Sequence, residues 1–433
     1  MASALRGAYL SYTGNPFKDD VENTHRYEAD GLIVIDAGKI VYAGAYDTRH
    51  VPPGVTPEHY RDGLIVPGFI DAHVHYPQLP MIGAYGKQLL DWLTKYTFVT
   101  EQRYHDKAFA RRIAKTFLRE QLRAGVTTPV TYATVHPESV DAYFEEAESL
   151  GLRTGTGKVL MDRNAPAALL DTARTGYDQS KALAAKWHGR GRLFYVVTPR
   201  FVPTSTPEQL EAAGALYKEI PGVYMQTHLA ENRSEVAWVA DLYPDSRNYL
   251  DVYDRFGLVG PRTLFGHAVH LVDAEWKRMA EAGATIVHCP TSNLFLGSGL
   301  FNLERALVSS NPVRTALGSD IGAGTSLSPL VTLNEAYKIA QLCGYSLSAH
   351  HAFYLATLGS ARAIYQDQHI GSIEAGKDAD LAVLDFAATP LLAERQAYAT
   401  SLEEQLFVLM TLGDERAIKA TYVAGRKMHD RDA

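Results

Sequence analysis

The sequence predicts an α/β fold, a (β/α)8 TIM-like barrel with a small β-sandwich domain assembled from both termini, on three observations. Eight apolar, strand-like runs recur along the chain, most of them separated by stretches with helical spacing and capping residues; eight such alternations favour a closed parallel barrel. Both ends are instead short, β-rich and punctuated by Gly, too small to bury a core each and so read as one shared unit. No Gly-x-Gly-x-x-Gly turn follows the first strand, so the open doubly wound sheet lacks its signature.

Taken in order, Ala8-Tyr9-Leu10-Ser11-Tyr12 is the first β element, and residues 31–44 read as a hairpin turning at Asp36 to Gly38. Residues 1–66 are assigned to the N-terminal part of the small domain, 67–369 to the barrel and 370–433 to the C-terminal part. In the last of these, Asp380-Leu381-Ala382-Val383-Leu384 and the stretch from Ala420 to Lys427 echo the opening pattern. The barrel strands are expected at 64–70, 125–132, 153–160, 193–198, 223–227, 263–266, 284–287 and 314–318. Between them, Phe109, Ile113, Phe117, Leu118 and Leu122 share one helix face, with Arg111, Arg112, Lys115 and Arg119 outward. Thr206-Pro207-Glu208 supplies an N-cap, a Pro at the first helical position and an early acid. Asp273-Ala274-Glu275-Trp276 opens a helix that ends before Gly283.

With 433 residues, 46% hydrophobic and 21% charged, the chain has the balance of a soluble globular protein. A net charge of −7 provides no basic field for a nucleic acid polymer. Two cysteines far apart, Cys289 and Cys343, exclude a disulfide framework and fit a reducing compartment. No basic segment leads into a long apolar core at the start, and no apolar run approaches the roughly 20 residues that span a bilayer. The expected compartment is the cytoplasm, with no membrane partner.

In a barrel of this kind chemistry sits at the C-terminal ends of the strands. Strand one ends in His73-Val74-His75 followed by Gln78, strand four in Arg200-Phe201, strand five in His228-Leu229-Ala230-Glu231, strand six in Gly266-His267 and strand eight in Gly318-Ser319-Asp320. Residues two apart on a strand point to one face, so His73 and His75 aim at one point. With His228 and Asp320 they form an N3O set suited to zinc or iron(II). His267 is either a further ligand or a donor that orients water. Glu231, three residues beyond His228, is placed for proton transfer if the chain turns helical there. A divalent metal brings the pKa of a bound water near 7.

Residues 193–201 contain no Lys to bridge a second metal, which favours one metal per chain. Arg200 offers a planar fork to a carbonyl or carboxylate, Gln78 both donates and accepts, and Phe201 can stack on a planar ring or serve as core. Cys289 beside His288 points to the opposite strand face and reads as buried and inert; His136 and the pair His350-His351 read as structural. Residues 91–98, rich in aromatics, form either a lid or an oligomer contact.

The run from Pro67 to His75, Thr227-His228-Leu229-Ala230-Glu231, Gly266-His267, His288-Cys289-Pro290-Thr291-Ser292-Asn293 and Gly318-Ser319-Asp320 resemble the metal-dependent amidohydrolase superfamily. The stretch from Gly371 to Leu381 is similar to that superfamily's return into a terminal β-domain. His75-Tyr76-Pro77-Gln78, the run from Tyr85 to Leu93, Thr198-Pro199-Arg200-Phe201, the run from Asp320 to Ser326 and that from Thr332 to Lys338 narrow the likeness to the guanine deaminase family.

That resemblance implies hydrolytic deamination of guanine to xanthine and ammonia. It implies one Zn2+ per chain, favoured over Fe2+, on His73, His75, His228 and Asp320, with Asp320 and His267 deprotonating and orienting the water that attacks C2. Glu231 would protonate the ring nitrogen and then the departing amine; His75, Gln78, Arg200, Phe201, His228, Glu231 and Asp320 would face the substrate. A homodimer is the implied assembly. Two other readings compete: an amidohydrolase acting on another aromatic heterocycle, as deaminase or chlorohydrolase, and a non-catalytic scaffold on the same barrel. Every expected ligand is intact, which argues against the scaffold.

Overall fold

Two sheets meet at a single residue, and that junction positions the histidine-bearing strand. The computed structural model describes residues 2–86 and 88–433; Lys87, within the motif running from Tyr85 to Leu93, lies outside the described residues. The chain opens with β1 (Ser3–Tyr12), β2 (His25–Asp36), β3 (Lys39–Ala45) and β4 (Glu58–Pro67). The barrel follows with β5 (Phe69–His75), β6 (Val126–Tyr132), β7 (Thr154–Gly157), β8 (Val159–Leu160), β9 (Leu193–Pro199), β10 (Tyr224–Leu229), β11 (Thr263–His267), β12 (Thr285–His288) and β13 (Arg314–Leu317). It returns through β14 (Leu381–Asp385), β15 (Ile418–Val423) and β16 (Arg426–Asp430).

The terminal strands form one sheet in the order β16-β15-β14-β4-β1-β2-β3. The β2–β3 hairpin turns where expected, with Asp36 opposite Lys39 and both Ala37 (φ 49°) and Gly38 (φ 80°) left-handed, as a two-residue hairpin turn requires. The sheet curls until this hairpin meets the segment before β14: Ala379 N–H donates to Gly38 O (2.9 Å) and Ile40 N–H to Lys377 O (2.9 Å). Its inner faces enclose Leu5, Ile33, Ile65, Leu381, Val383 and Tyr422, so both chain ends share one core.

The barrel strands run parallel in the order β5-β6-β7-β9-β10-β11-β12-β13, with β8 beside β9. Closure comes through the loop after β13, where Asp320 N–H donates to His73 O (2.9 Å) and His75 N–H donates to Ile321 O (2.8 Å). Ile70, Val130, Val196, Leu264, Val287 and Cys289 fill the interior. Helices on the outside follow the sequence pattern. In Lys107–Arg123 the residues Ile113, Phe117, Leu118 and Leu122 are buried and the four basic residues are exposed. Thr206 caps Pro207–Glu219 through Gln209 N–H (3.3 Å). No helix among the described residues is long and apolar enough to cross a membrane.

The run 64–70, expected as one strand, is divided between the sheets. Gly68 N–H donates to Asp380 O (2.8 Å) of the terminal sheet's surroundings, while Phe69 N–H donates to Gly125 O (3.0 Å) on the barrel side. A side chain at 68 would lie 2.2 Å from Thr127 Oγ1, so only Gly permits this close crossing. The run 153–160 likewise breaks into β7 and β8 at Lys158, whose buried ammonium pairs with Asp171.

Candidate active site

Five side chains from four loop-and-strand ends converge above the barrel interior. His73 and His75 come from the end of β5, His228 from β10, His267 from the end of β11, and Asp320 from the loop after β13. His75 Nε2 lies 3.2 Å from Asp320 Oδ1 and 3.2 Å from His228 Nε2. His73 Nε2 lies 3.4 Å from Asp320 Oδ1, and His267 Nε2 lies 3.7 Å from Asp320 Oδ2. Two glycines make the room. A Cβ at Gly266 would stand 2.5 Å from His73 Cε1, and one at Gly318 would stand 2.7 Å from His73 Cβ.

The hydrogen-bond partners fix which nitrogen faces inward. His228 Nδ1 lies 2.7 Å from Arg200 O, an acceptor, so Nδ1 carries the proton and Nε2 presents a lone pair to the cluster. His267 Nδ1 lies 2.9 Å from Asn293 Oδ1, which acts as the acceptor and leaves Nε2 bare in the same way. His73 Nε2 and His267 Nε2 are buried with no hydrogen-bond partner among the described residues. Buried polar atoms are normally paired, and converging lone pairs beside a carboxylate make a cation-binding donor set. Donor atoms of His73, His228, His267 and Asp320 all lie within 4.8 Å of one another.

Electrostatics agree with that geometry. Burial pushes the His75 imidazole down to about 3 and holds His228 well below its ordinary value, with the neighbouring His73 and His75 adding to the latter. Neutral imidazole is the form that binds metals. Burial pushes the Asp320 carboxyl up, but the imidazoles of His73 and His75 set against it, and after them that of His267, override this and hold Asp320 well below the usual carboxylate range. Asp320 and His267 both adopt left-handed backbone (φ 51° and 70°), strain of the sort that concentrates at working sites.

Glu231 reaches the cluster by a route different from the expected helical turn. The residue before it, Ala230, is left-handed (φ 48°), and the helix starts only at Arg233–Leu242. Glu235 of that helix accepts from Glu231 N–H (2.9 Å) and Asn232 N–H (3.1 Å), which pins the loop. The Glu231 carboxyl then sits with Oε2 3.5 Å from His267 Nε2 and Oε1 accepting from Ser298 Oγ (3.2 Å). Burial, followed by the negative charge of Asp320, pushes its pKa up to about 8. A carboxyl protonated at neutral pH beside a donor cluster is equipped to give up a proton.

Beside the cluster lies a cavity lined by His75, Gln78, Arg200, Phe201, Glu231 and Asp320, among others. Leu89, Trp92 and Leu93 line it as well. The aromatic segment after β5 therefore contributes to the pocket wall.

The sequence profile of the amidohydrolase family matches residues 64–428. The chain belongs to the amidohydrolase family. Guanine deaminase of Escherichia coli strain K12 is 50% identical to it over 434 residues, covering 99% of this chain and 98% of that one. The solved E. coli guanine deaminase superposes with a TM-score of 0.95 at 48% identity, covering 100% of this chain and 99% of the other. Guanine deaminase from C. acetobutylicum, solved with guanine bound in its active site, superposes with a TM-score of 0.89 at 29% identity, covering 99% and 100%.

Four residues of this amidohydrolase's site escaped sequence reasoning as individuals. Glu101 is fully buried and bonds to both Gln78 and Arg200; as one acid at the end of an aromatic stretch it carried no distinguishing signal. Asn293 and Asp71 lay within quoted motifs without a role. Asp71 accepts from Ser319 N–H (2.9 Å), from Ser319 Oγ and from Gln121 Nε2 (3.2 Å), tying β5 to the loop that presents Asp320. Ser298 follows no motif. Among the residues read as bland, Cys289 is buried inside the barrel and its thiol is pushed up by burial, consistent with inertness. His350 is buried against Tyr12, with Tyr12 Oη 3.1 Å from His350 Nδ1.

Proposed function

We propose that this chain hydrolyses guanine to xanthine and ammonia, with one zinc ion per chain held by His73, His75, His228 and Asp320. The observation that carries the reading is one cavity in which a raised-pKa Glu231 and the His/Asp cluster face Gln78, Arg200 and Phe201. The substrate itself rests on a guanine deaminase that shares half of its residues with this chain along the full length.

A bound divalent cation supplies Lewis acidity that brings deprotonation of water into the neutral range. The protein's own groups do the rest. Asp320 and His267 orient the attacking water towards C2 and Asp320 accepts its proton. Glu231 gives its proton to the ring nitrogen as C2 becomes tetrahedral; it then takes the remaining proton of the added hydroxyl and passes it to the amine, which leaves as ammonia while the C2 carbonyl forms, and the proton held by Asp320 returns to Glu231. Gln78 and Arg200 hold the polar edge of the purine, Phe201 its face, and His75 and His228 border the reacting carbon. Trp92 and its neighbours exclude water from the covered ring.

We assign residues 67–369 to the catalytic barrel and 1–66 with 370–433 to the terminal β-domain. A homodimer in the cytoplasm is the proposed assembly and compartment. The test is steady-state turnover of guanine, cytosine, adenine and s-triazines alongside metal analysis of the same sample. Guanine is expected to be turned over far faster than the others, with about one zinc per chain, activity lost on chelation and restored by zinc. A folded, zinc-loaded protein inert towards guanine would overturn the reading.

A further inference from the structure

We propose that Glu101 is a positioning residue that makes the pocket select a 6-oxo purine over a 6-amino purine, by locking the orientations of Arg200 and Gln78. The proposal rests on guanine as substrate and goes beyond it by naming what sets the choice of ring substituent.

Glu101 ends the short helix Phe98–Glu101 that follows the pocket-lining segment of Leu89, Trp92 and Leu93, and it is 0% exposed. Arg200, 2% exposed, donates from NH1 to both of its oxygens, at 3.1 and 2.8 Å. Gln78 donates from Nε2 to Glu101 Oε1 at 3.0 Å. On its other side Gln78 Oε1 accepts from Gly322 N–H at 3.1 Å. These partners leave one sense for the amide, because the flipped form sets oxygen against the carboxylate and N–H against N–H. Phe98 packs under the guanidinium, with Arg200 Cζ 5.7 Å from the ring centroid.

Both side chains line the cavity. With NH1 taken by Glu101, Arg200 Nε and NH2 have no hydrogen-bond partner among the described residues and serve the pocket. Gln78 adds its second Nε2–H, while its oxygen is engaged by Gly322. The wall therefore presents donors. A ring carbonyl satisfies them, whereas an amino group meets donor with donor and leaves buried N–H groups unpaired. Without the Glu101 charge the Gln78 amide is free to flip and turn its oxygen towards the ligand, which would welcome an amino group.

Competitive inhibition by hypoxanthine and by adenine, which differ in the 6-substituent, reads this directly in the zinc-loaded enzyme with guanine as substrate. In the wild type hypoxanthine is expected to bind the tighter. Glu101→Gln is expected to compress the ratio of the two inhibition constants by about tenfold or more, the worth of a charge-assisted hydrogen bond, and to raise KM for guanine more than it lowers kcat. Glu101→Asp keeps the charge with one methylene less reach, and should retain more of the discrimination than Glu101→Gln. Zinc content and melting temperature accompany each variant. A ratio unchanged in folded, zinc-loaded Glu101→Gln overturns the proposal. If only Glu101→Asp can be purified, an unchanged ratio there overturns it and a reduced one supports it. Failure of the wild type to turn over guanine would instead strike the function itself.

Discussion

The donor cluster of His73, His75, His228, His267 and Asp320 stands at the ends of β5, β10, β11 and β13, whereas the group of Gln78, Glu101 and Arg200 comes from a 3-10 turn, a four-residue helix and the residue after β9. The first group is held by backbone that the barrel itself makes rigid, with Asp71 and the β5–Asp320 loop hydrogen bonds as ties. The second is held mainly by its own side chains, around one carboxylate, with the Gly322 N–H engaging Gln78 Oε1. A set of donors that must meet within a few ångströms gains from strand ends; a wall that must fit a particular ring edge is built from segments that vary independently of the barrel. Chemistry and choice of substrate are thus separable in this molecule, and the variants below are ranked by how hard they press on that separation.

Glu231→Gln is the strongest. It belongs with the chemistry, so deamination is expected to fall about 10²–10⁴-fold while zinc content and KM for guanine stay close to wild type, measured by steady-state kinetics and metal analysis. Near-wild-type turnover would remove Glu231 from proton transfer. The same variant has an opposite effect on stability in metal-stripped protein. The folded pKa of Glu231, about 8, lies above its unfolded value, so its contribution is full below the unfolded pKa and is lost as pH rises towards 8. Holding a carboxyl neutral until pH 7 costs about 3 kcal/mol. Metal-stripped Glu231→Gln should therefore melt above metal-stripped wild type at pH 8, with the two curves converging near pH 4.5. Curves that stay parallel across that range would show that Glu231 is not the group that titrates.

Gly266→Ala presses next hardest, because it alters the donor set without touching a donor. The added Cβ would meet His73 Cε1 at 2.5 Å, and the ring must turn from the cluster. Zinc affinity is expected to drop about 10–100-fold in a titration against a chelator, with the hypoxanthine-to-adenine preference of the zinc-saturated protein unchanged. A shifted preference would mean the two walls are coupled. Trp92→Ala is the mildest: Trp92 lines the cavity and donates from Nε1 to Ala84 O (3.1 Å). KM for guanine should rise a few-fold with kcat within about twofold, as expected when binding to ground and transition states weakens together.

The same contrast explains what was legible in the sequence. The barrel strands announced themselves by apolar runs with Gly and Pro at their ends, and the cluster by His and Asp at strand ends, since a strand fixes where its terminal side chains go. The left-handed Ala230 is set locally, by Glu235 only five residues on, in a turn that hydrophobic pattern does not report, whereas the split of 64–70 between two sheets depends on Thr127, brought in from elsewhere in the chain. Glu101 was invisible for the same reason. Its partners Gln78 and Arg200 lie 23 and 99 positions away, and nothing local distinguishes a buried counterion from a surface acid.

Pro67 pairs with Leu381, 314 positions later in the chain, across the β4–β14 ladder. During synthesis β4 thus waits for β14 until almost all of the barrel has left the ribosome, and β5, leading to His73 and His75, begins two residues beyond β4. Contacts of this span are slow to form. The strand that carries His73 and His75 thus follows directly on a ladder that closes only once residues beyond the barrel have been made.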